Sequence, residues 1–365
     1  MSQLCVGVDV GGTLIKAGLV DEAGQVLAEA RRDTPGRTAG PGQVEDTIVA
    51  VVDELLARPL PATSGTSSTH GAASTHGVAA VGVGAAGLVD TGRGTVVFAP
   101  HLSWRQEPLR DRLGTRLGLP VLVDNDAHAA AWAEHRFGAG RGESHLLVIT
   151  LGTGIGGAIL TEGRLQRGRH GLAGELGHVR VVPDGRACEC GNEGCWEQYV
   201  SGSVVRRQGQ ELVRLGRPEA AALAAACADD PAALRGEDVT RLARDGDPAS
   251  LEILADAGRW LGRGLAGAVA TLDPGTVVVG GGLSHAGELL LGPARAELAR
   301  HLLGRRYRPE PRVVAARLGV GAGLVGAADL ARTAVPTRTG TVADGRSRAT
   351  SRPATTGPDA APGQG

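Results

Sequence analysis

Leu4-Cys5-Val6-Gly7-Val8-Asp9-Val10-Gly11-Gly12-Thr13-Leu14-Ile15-Lys16-Ala17-Gly18-Leu19-Val20 opens the chain with two apolar runs joined by a Gly-Gly-Thr loop. Apolar residues alternate with small or polar ones up to Val10, the period of a strand with a buried face. The second run ends at Val20, Asp21-Glu22-Ala23-Gly24 makes a turn, and a third run starts at Gln25. This predicts a three-stranded antiparallel meander. The same order returns as a run from Leu146 to Leu151, the loop Gly152-Thr153-Gly154, a run over 155–160 and the turn Thr161-Glu162-Gly163. Strand, Gly/Thr loop, strand and acidic-Gly turn occurring twice point to a structural duplication. Each loop joins antiparallel strands, which argues against a dinucleotide-binding unit with its strand-loop-helix order.

Between and beyond the repeats the pattern is mixed α/β. Val44, Ile48, Val51, Val52, Leu55 and Leu56 recur at helical spacing. A strand over 78–83, the turn Gly84-Ala85-Ala86-Gly87, the segment His101-Leu102-Ser103-Trp104 and a Val-Leu-Val strand follow, the last ending at Asp124-Asn125-Asp126 ahead of a helix over 127–137. Ala-rich helices are expected over 201–215, 219–227, 239–244 and 248–272, then a buried strand over 276–279 leading into Gly280-Gly281-Gly282. A helix over 287–303, a strand over 312–315 and a helix over 321–331 close the folded part. Residues 59–77 are a Pro/Ser/Thr/Gly/Ala insertion with a near-repeat around His70 and His76, and 333–365 lack periodicity. Neither stretch offers enough apolar surface to offset its ordering entropy, so a loose loop and a disordered tail are expected. The two histidines are read as part of an inert insertion.

Composition narrows the class. A chain of 365 residues with 42% hydrophobic residues and a formal charge of -1 suits two globular domains and no general polyanion binding. Aromatics at 2% leave little to build stacking platforms for single-stranded nucleic acid. The N-terminus shows no basic segment followed by an apolar one, and no run of about 18 apolar residues occurs, so neither a membrane nor export is expected and the reading is cytoplasmic. Five cysteines, three of them clustered, fit a reducing compartment. Basic residues are almost all arginine, and Lys16 is the sole lysine.

Four motifs carry chemistry. Asp9, Gly11, Gly12 and Thr13 form a hairpin whose amides and hydroxyl suit phosphate, with an acid suited to a metal held through water; a plain tight turn would also need the glycines. Lys16 would either neutralise phosphate or point into solvent. Gly152, Thr153 and Gly154 make the matching loop, and Gly281 and Gly282 would admit a flat ligand or merely begin a helix. Asp126 at a strand end suits a general base, with Asn125 anchoring a neighbouring hydroxyl, although both residues are also preferred helix caps. His178, Cys188, Cys190 and Cys195 give an imidazole and three thiolates, the ligand set of a closed structural zinc site, favoured over free thiols or a disulfide. Zinc on one nitrogen of His178 leaves the other to donate to a ligand hydroxyl, with Glu175 and Glu197 as flanking acceptors. Without the zinc loop the two glutamates would read as solvated charge.

Taken together, Asp9-x-Gly-Gly-Thr13, Asn125-Asp126-Ala127, Glu175-Leu-Gly-His178 and Cys188-x-Cys-Gly-x-x-Gly-Cys195 followed by Trp196-Glu197-Gln198-Tyr199 resemble the ROK sugar kinases, most closely the bacterial ATP-dependent glucokinases. The resemblance runs from about Leu4 to Arg332, apart from the 59–77 loop. It implies an α/β, actin-like (ribonuclease H-like) fold: a small domain over 1–122 completed by a helix over 318–332, and a large domain over 123–317 carrying the zinc loop. It further implies ATP with Mg2+ between the domains and transfer of the γ-phosphoryl group to a sugar 6-hydroxyl. Asp126 would be the base, and Gly87, Asn125, Glu175, His178 and Glu197 would hold the sugar. The two Gly/Thr loops would hold phosphates and Gly281 and Gly282 would lie near adenosine. Homodimers or homotetramers are implied.

The sequence departs from that pattern at His101 and His128, where Asn is usual, at Asp124 for Glu and at Ala158 for Gly. His101 bears most on the choice of sugar, and the others are expected to leave the chemistry alone. Glucose is the expected substrate, with N-acetylmannosamine, fructose or allose as alternatives. A non-catalytic sugar sensor is a different class. Regulators related to these kinases carry an N-terminal helix-turn-helix, whereas this chain begins at the phosphate hairpin.

Overall fold

The computed structural model describes residues 3–58 and 77–334. The insertion expected over 59–77 lies outside the described residues except for Gly77, as does the expected tail except for Thr333 and Ala334, which extend the last helix.

The opening stretch folds as expected into β1 (Leu4–Val10), β2 (Leu14–Val20) and β3 (Val26–Asp33). Helix α1 (Pro41–Leu56) starts with proline, whose missing N–H costs nothing at a helix start, and buries Val44, Ile48, Val51, Val52 and Leu55. Strand β4 (Val78–Ala85) runs two residues further than its apolar pattern and takes in Gly84 and Ala85 of the expected turn. A small antiparallel sheet follows, β5 (Leu88–Asp90), β6 (Thr95–Phe98) and β7 (Arg105–Glu107), then helix α2 (Leu109–Leu117) and strand β8 (Val121–Asn125). Helix α3 (Asp126–Phe137) starts directly at the end of β8.

The second repeat gives β9 (Leu146–Leu151), β10 (Ile155–Thr161) and the short β11 (Arg164–Leu165). After the cysteine-rich loop come α4 (Gly202–Arg214), α5 (Ala221–Ala226), α6 (Gly236–Arg244) and the long α7 (Pro248–Leu272). Strand β12 (Thr276–Gly280), helix α8 (Glu288–His301), strand β13 (Arg312–Ala315) and helix α9 (Ala322–Ala334) finish the described chain. The helix expected over 219–227 begins as a 3-10 turn at Pro218–Ala220, because proline fits only the first positions of a helix.

The duplication holds at the level of topology. One sheet has the order β3-β2-β1-β4-β8 and the other β11-β10-β9-β12-β13. In both, the three-strand meander is antiparallel and two further strands add in parallel. Each sheet has its own aliphatic core. Val8, Ile15, Val52, Val83 and Trp104 belong to the first, and Leu147, Ile149, Trp196, Leu261 and Val279 to the second.

Helices α3 and α9 lie together, with α3 touching strands of both sheets and α9 packing on β1 and β4. The approach is backbone to backbone. A Cβ on Gly82 of β4 would come within 1.8 Å of the Ala327 carbonyl oxygen, and one on Gly326 within 1.7 Å of the Ala129 carbonyl oxygen. The last helix therefore completes the sheet begun by the first strand, and only glycine permits that contact.

Candidate active site

The site is assembled where β8 ends. Open sheets expose ligand sites at the carboxyl ends of parallel strands, and β8 delivers Asn125 and Asp126 there. Asn125 caps α3, its side chain accepting from the His128 amide at 3.1 Å, and its Nδ2 donates to the Gly87 carbonyl at 3.0 Å. The capping role thus belongs to Asn125, while Asp126, one residue on, accepts only from the adjoining Ala127 amide at 2.9 Å. Burial and then the nearby Asp9 carboxylate push Asp126 up to about 7. Burial also raises Asp9, against the pull of Lys16. Lys16 stands opposite Asp9 in the β1–β2 ladder, so both side chains leave the same face of the sheet. Its charge acts on Asp9, a role that neither the phosphate reading nor the solvent reading of Lys16 included.

His178, Cys188, Cys190 and Cys195 converge as the spacing predicts. Their ligand atoms all lie within 4.8 Å of one another. Cys190 and Cys195 sulfurs are 3.6 Å apart and the Cys188 sulfur is 3.7 Å from His178 Nδ1. A tetrahedral zinc with Zn–S near 2.3 Å has edges of about 3.8 Å, so these two pairs match its edges and the whole donor set fits the ion. All three are free thiols. Burial pushes the Cys188 thiol above its ordinary range, helped by Glu197, whose Oε1 accepts from it at 3.1 Å. A cation among the thiols would reverse that shift.

Glu175 and Glu197 do not both flank the far nitrogen of His178. Glu197 Oε1 lies 3.7 Å from His178 Nδ1, the nitrogen that faces the thiols. Its Oε2 accepts from the Ile155 amide at 3.4 Å and sits where a side chain on Gly154 would stand, so Glu197 ties the zinc loop to the second hairpin. Glu175 precedes the turn Leu176–His178, which rests on β10 at Gly177, and burial raises its carboxyl.

Two cavities lie in this region, share Val320 as a lining residue, and differ in that only the first is lined by Asp126. The inner one, about 170 Å3, is lined by Asp9, Asp126, Thr150, Gly280, Gly281 and Gly323, and so draws on both sheets. The outer one, about 530 Å3, is lined by Gly152, Thr153, Ser203, Arg206, Arg235 and Gly282 among others. Only the outer cavity has the volume of an ordinary small-molecule site. Helix α4 begins against the second hairpin, the Gly202 amide donating to the Gly152 carbonyl at 2.8 Å, so its positive end adjoins the loop. Gly11, Gly12 and Thr13 line neither cavity. Thr34 braces that hairpin, its hydroxyl donating to the Gly11 carbonyl at 2.8 Å, and His101 packs over Gly12.

Several residues at the site are silent in sequence. Arg37, in the loop before α1, donates to His101 Nδ1 at 2.8 Å and lies 3.8 Å from Glu189. Arg167 holds Asp124 through two bonds of 2.9 and 2.6 Å. Both sit in loops without periodicity, and an arginine among so many carries no mark. Asp124 and His128, expected to leave the chemistry alone, meet at 3.0 Å. Their joint departure from the usual residues was the available signal.

The comparisons with known proteins concern the family and the fold. The chain is 45% identical over 330 residues to a glucokinase of Streptomyces coelicolor, covering 90% of this chain and 98% of that protein. A solved ROK family glucokinase from Streptomyces griseus, in complex with glucose and AMPPNP, superposes with a TM-score of 0.79 at 46% identity, covering 90% of this chain and 99% of that one. A ROK hexokinase from Thermus thermophilus superposes with a TM-score of 0.70 at 33% identity, covering 91% and 98%. The fold is thus the two-domain α/β sugar kinase fold. The ROK family profile matches residues 5–334, from the second residue of β1 to the last of α9, and by that match the chain is a member of the ROK family.

Proposed function

We propose that the chain is an ATP-dependent glucokinase, with Asp126 as the general base for transfer of the γ-phosphoryl group to the glucose 6-hydroxyl. One observation carries the reading: Asp126 is raised to about 7 and lines a cavity shared with Asp9, Thr150 and Gly281. A base of that strength is matched to a hydroxyl proton at neutral pH. As the sugar oxygen bonds to the γ-phosphorus, its proton passes to Asp126, the bond from γ-phosphorus to the bridging oxygen breaks, and ADP leaves with the electron pair.

Asn125, Glu175, His178 and Glu197 hold the sugar, with Gly87 supporting Asn125 and His101 near the first hairpin. The outer cavity takes the nucleoside end of ATP against Gly282, with Gly281 of the inner cavity next to it, and the loops 11–13 and 152–154 take its phosphates, aided by Lys16. The two buried carboxylates Asp9 and Asp126 suit a neighbouring divalent cation, and Asp9 is the residue that would hold Mg2+ through water; Mg2+ supplies charge neutralisation on the phosphates. His178, Cys188, Cys190 and Cys195 would hold zinc, which supplies rigidity and fixes the tautomer of His178. Assembly as a homodimer or homotetramer is proposed from the resemblance, with light scattering as its check.

A coupled assay for ADP across glucose, N-acetylmannosamine, fructose and allose tests the reading. Glucose is expected to have the highest kcat/KM. Asp126→Asn is expected to lower kcat by about 100- to 10,000-fold, the usual share of general base catalysis. No turnover of any hexose would sink the enzyme, and an undiminished mutant would sink the base.

A further inference from the structure

Asp124 is the penultimate residue of β8 and His128 sits in the first turn of α3, two residues on either side of Asp126. Their side chains are 2% and 3% exposed, and Asp124 Oδ1 is 3.0 Å from His128 Nδ1. On the far side of the ring, His128 Nε2 lies 3.0 Å from the carbonyl oxygen of Ala173. A carbonyl has no proton to give. Burial alone would raise Asp124, yet its bonds to His128 and Arg167 hold it below the ordinary carboxylate range, so it too is an acceptor. A ring that faces acceptors through both nitrogens satisfies both contacts only when each nitrogen carries a proton.

Ala173 belongs to the second half of the chain and stands two residues before Glu175. The loop it ends is pinned twice to the same pair. Arg167 binds Asp124 Oδ2 through Nε and Nη2, and the Ala173 amide donates back to the Arg167 carbonyl at 3.0 Å. Gly174 is pressed between Gly157 and the ring: a Cβ there would come within 2.7 Å of the Gly157 carbonyl oxygen and 3.5 Å of His128 Nε2. Besides Asp124 and Arg167, the charged groups facing the ring are the carboxyls of Asp126 and Glu175, each raised by burial with the ring's charge a smaller opposing influence.

We propose that Asp124 and doubly protonated His128 are positioning residues, clamping the Ala173 carbonyl so that Glu175 is presented to the sugar in register with Asp126. Neither residue touches the substrate. The base-bearing turn and the Glu175-bearing turn follow strands of different sheets, and this buried ion pair, together with Arg167, ties them. The inference rests on Glu175 being a sugar contact.

The test uses the intact enzyme. Removal of a bond from a charged donor predicts that His128→Asn raises KM for glucose roughly 10- to 100-fold. KM for ATP is expected to stay within about threefold of its original value, since the clamp lies away from the outer cavity. On the wild-type protein, nitrogen-15 NMR at pH 7 is expected to show both His128 ring nitrogens protonated, a measurement that stands even if a variant fails to fold. A neutral His128 ring, an unchanged KM for glucose, or equal rises in KM for glucose and ATP would each overturn the proposal. Glu175→Gln separates the two readings. An unchanged KM for glucose there removes the sugar contact, whereas an impaired Glu175→Gln beside a normal His128→Asn removes the clamp alone.

Discussion

Asp126 meets two opposed demands: it must be ionised to accept a proton, yet burial and Asp9 favour its neutral form. Before glucose binds, Asp126 must lose its proton, so kcat/KM for glucose should rise about tenfold per pH unit up to about 7 and level off above it, measured at saturating ATP. A flat profile between pH 5.5 and 8 would contradict the assignment. Stability runs the other way. The folded state holds this proton more tightly than the unfolded one, so its contribution is present at low pH and is lost as pH rises from about 4 through about 7. Asp126→Asn, which cannot ionise, should raise Tm at pH 8 and leave it nearly unchanged at pH 4, an outcome checked by calorimetry alongside the loss of activity. At the cysteine cluster, Cys188→Ser should lower zinc from about one per chain to a small fraction, with a fall in Tm. Active mutant protein without metal would count against a structural role.

Elements differ in how plainly the sequence declares them. The meanders and their repeat were legible because a strand with one buried face must alternate, and because the hairpin loops carry glycines at matching places. Helix α7 declares itself over many turns. The sheet β5-β6-β7 does not, since its strands run three, four and three residues, too short for a period to register. Helix α2 leaves Leu109, Leu113 and Leu117 at a spacing of four, a signal confined to nine residues. At the site, the place of Asp126 at a strand end and the convergence of His178 with the three cysteines were legible through type and spacing, whereas the contacts of Arg37, Arg167 and Ala173 depend on which loops the fold brings together. The packing of α9 on β4 and α3 is equally a tertiary fact. Gly82→Ala should cost about 1–3 kcal/mol as α9 is pushed from the sheet, measured by urea unfolding. A cost near zero would mean that the helix shifts freely.

Across the molecule, the chain passes from the first sheet to the second through α3 and returns once, between β13 and α9. Glu134 of α3 marks that return, its carboxylate accepting from the amides of Arg317 and Leu318 at 3.0 and 2.8 Å. With two crossings and a cavity drawn from both sheets, glucose binding should bring the halves closer. Small-angle scattering should then show a smaller radius of gyration with glucose, and an unchanged radius would mean that the cleft is already closed. The seat of α9 on the first sheet also bears on how the chain is made. Synthesis runs from Leu4 toward Ala334, so β1 and β4 emerge early while the helix that covers them emerges last of the described elements. The second sheet and its helices can finish on the ribosome. The first waits with an uncovered apolar face, and a nascent chain stalled before α9 is the form most in need of a chaperone.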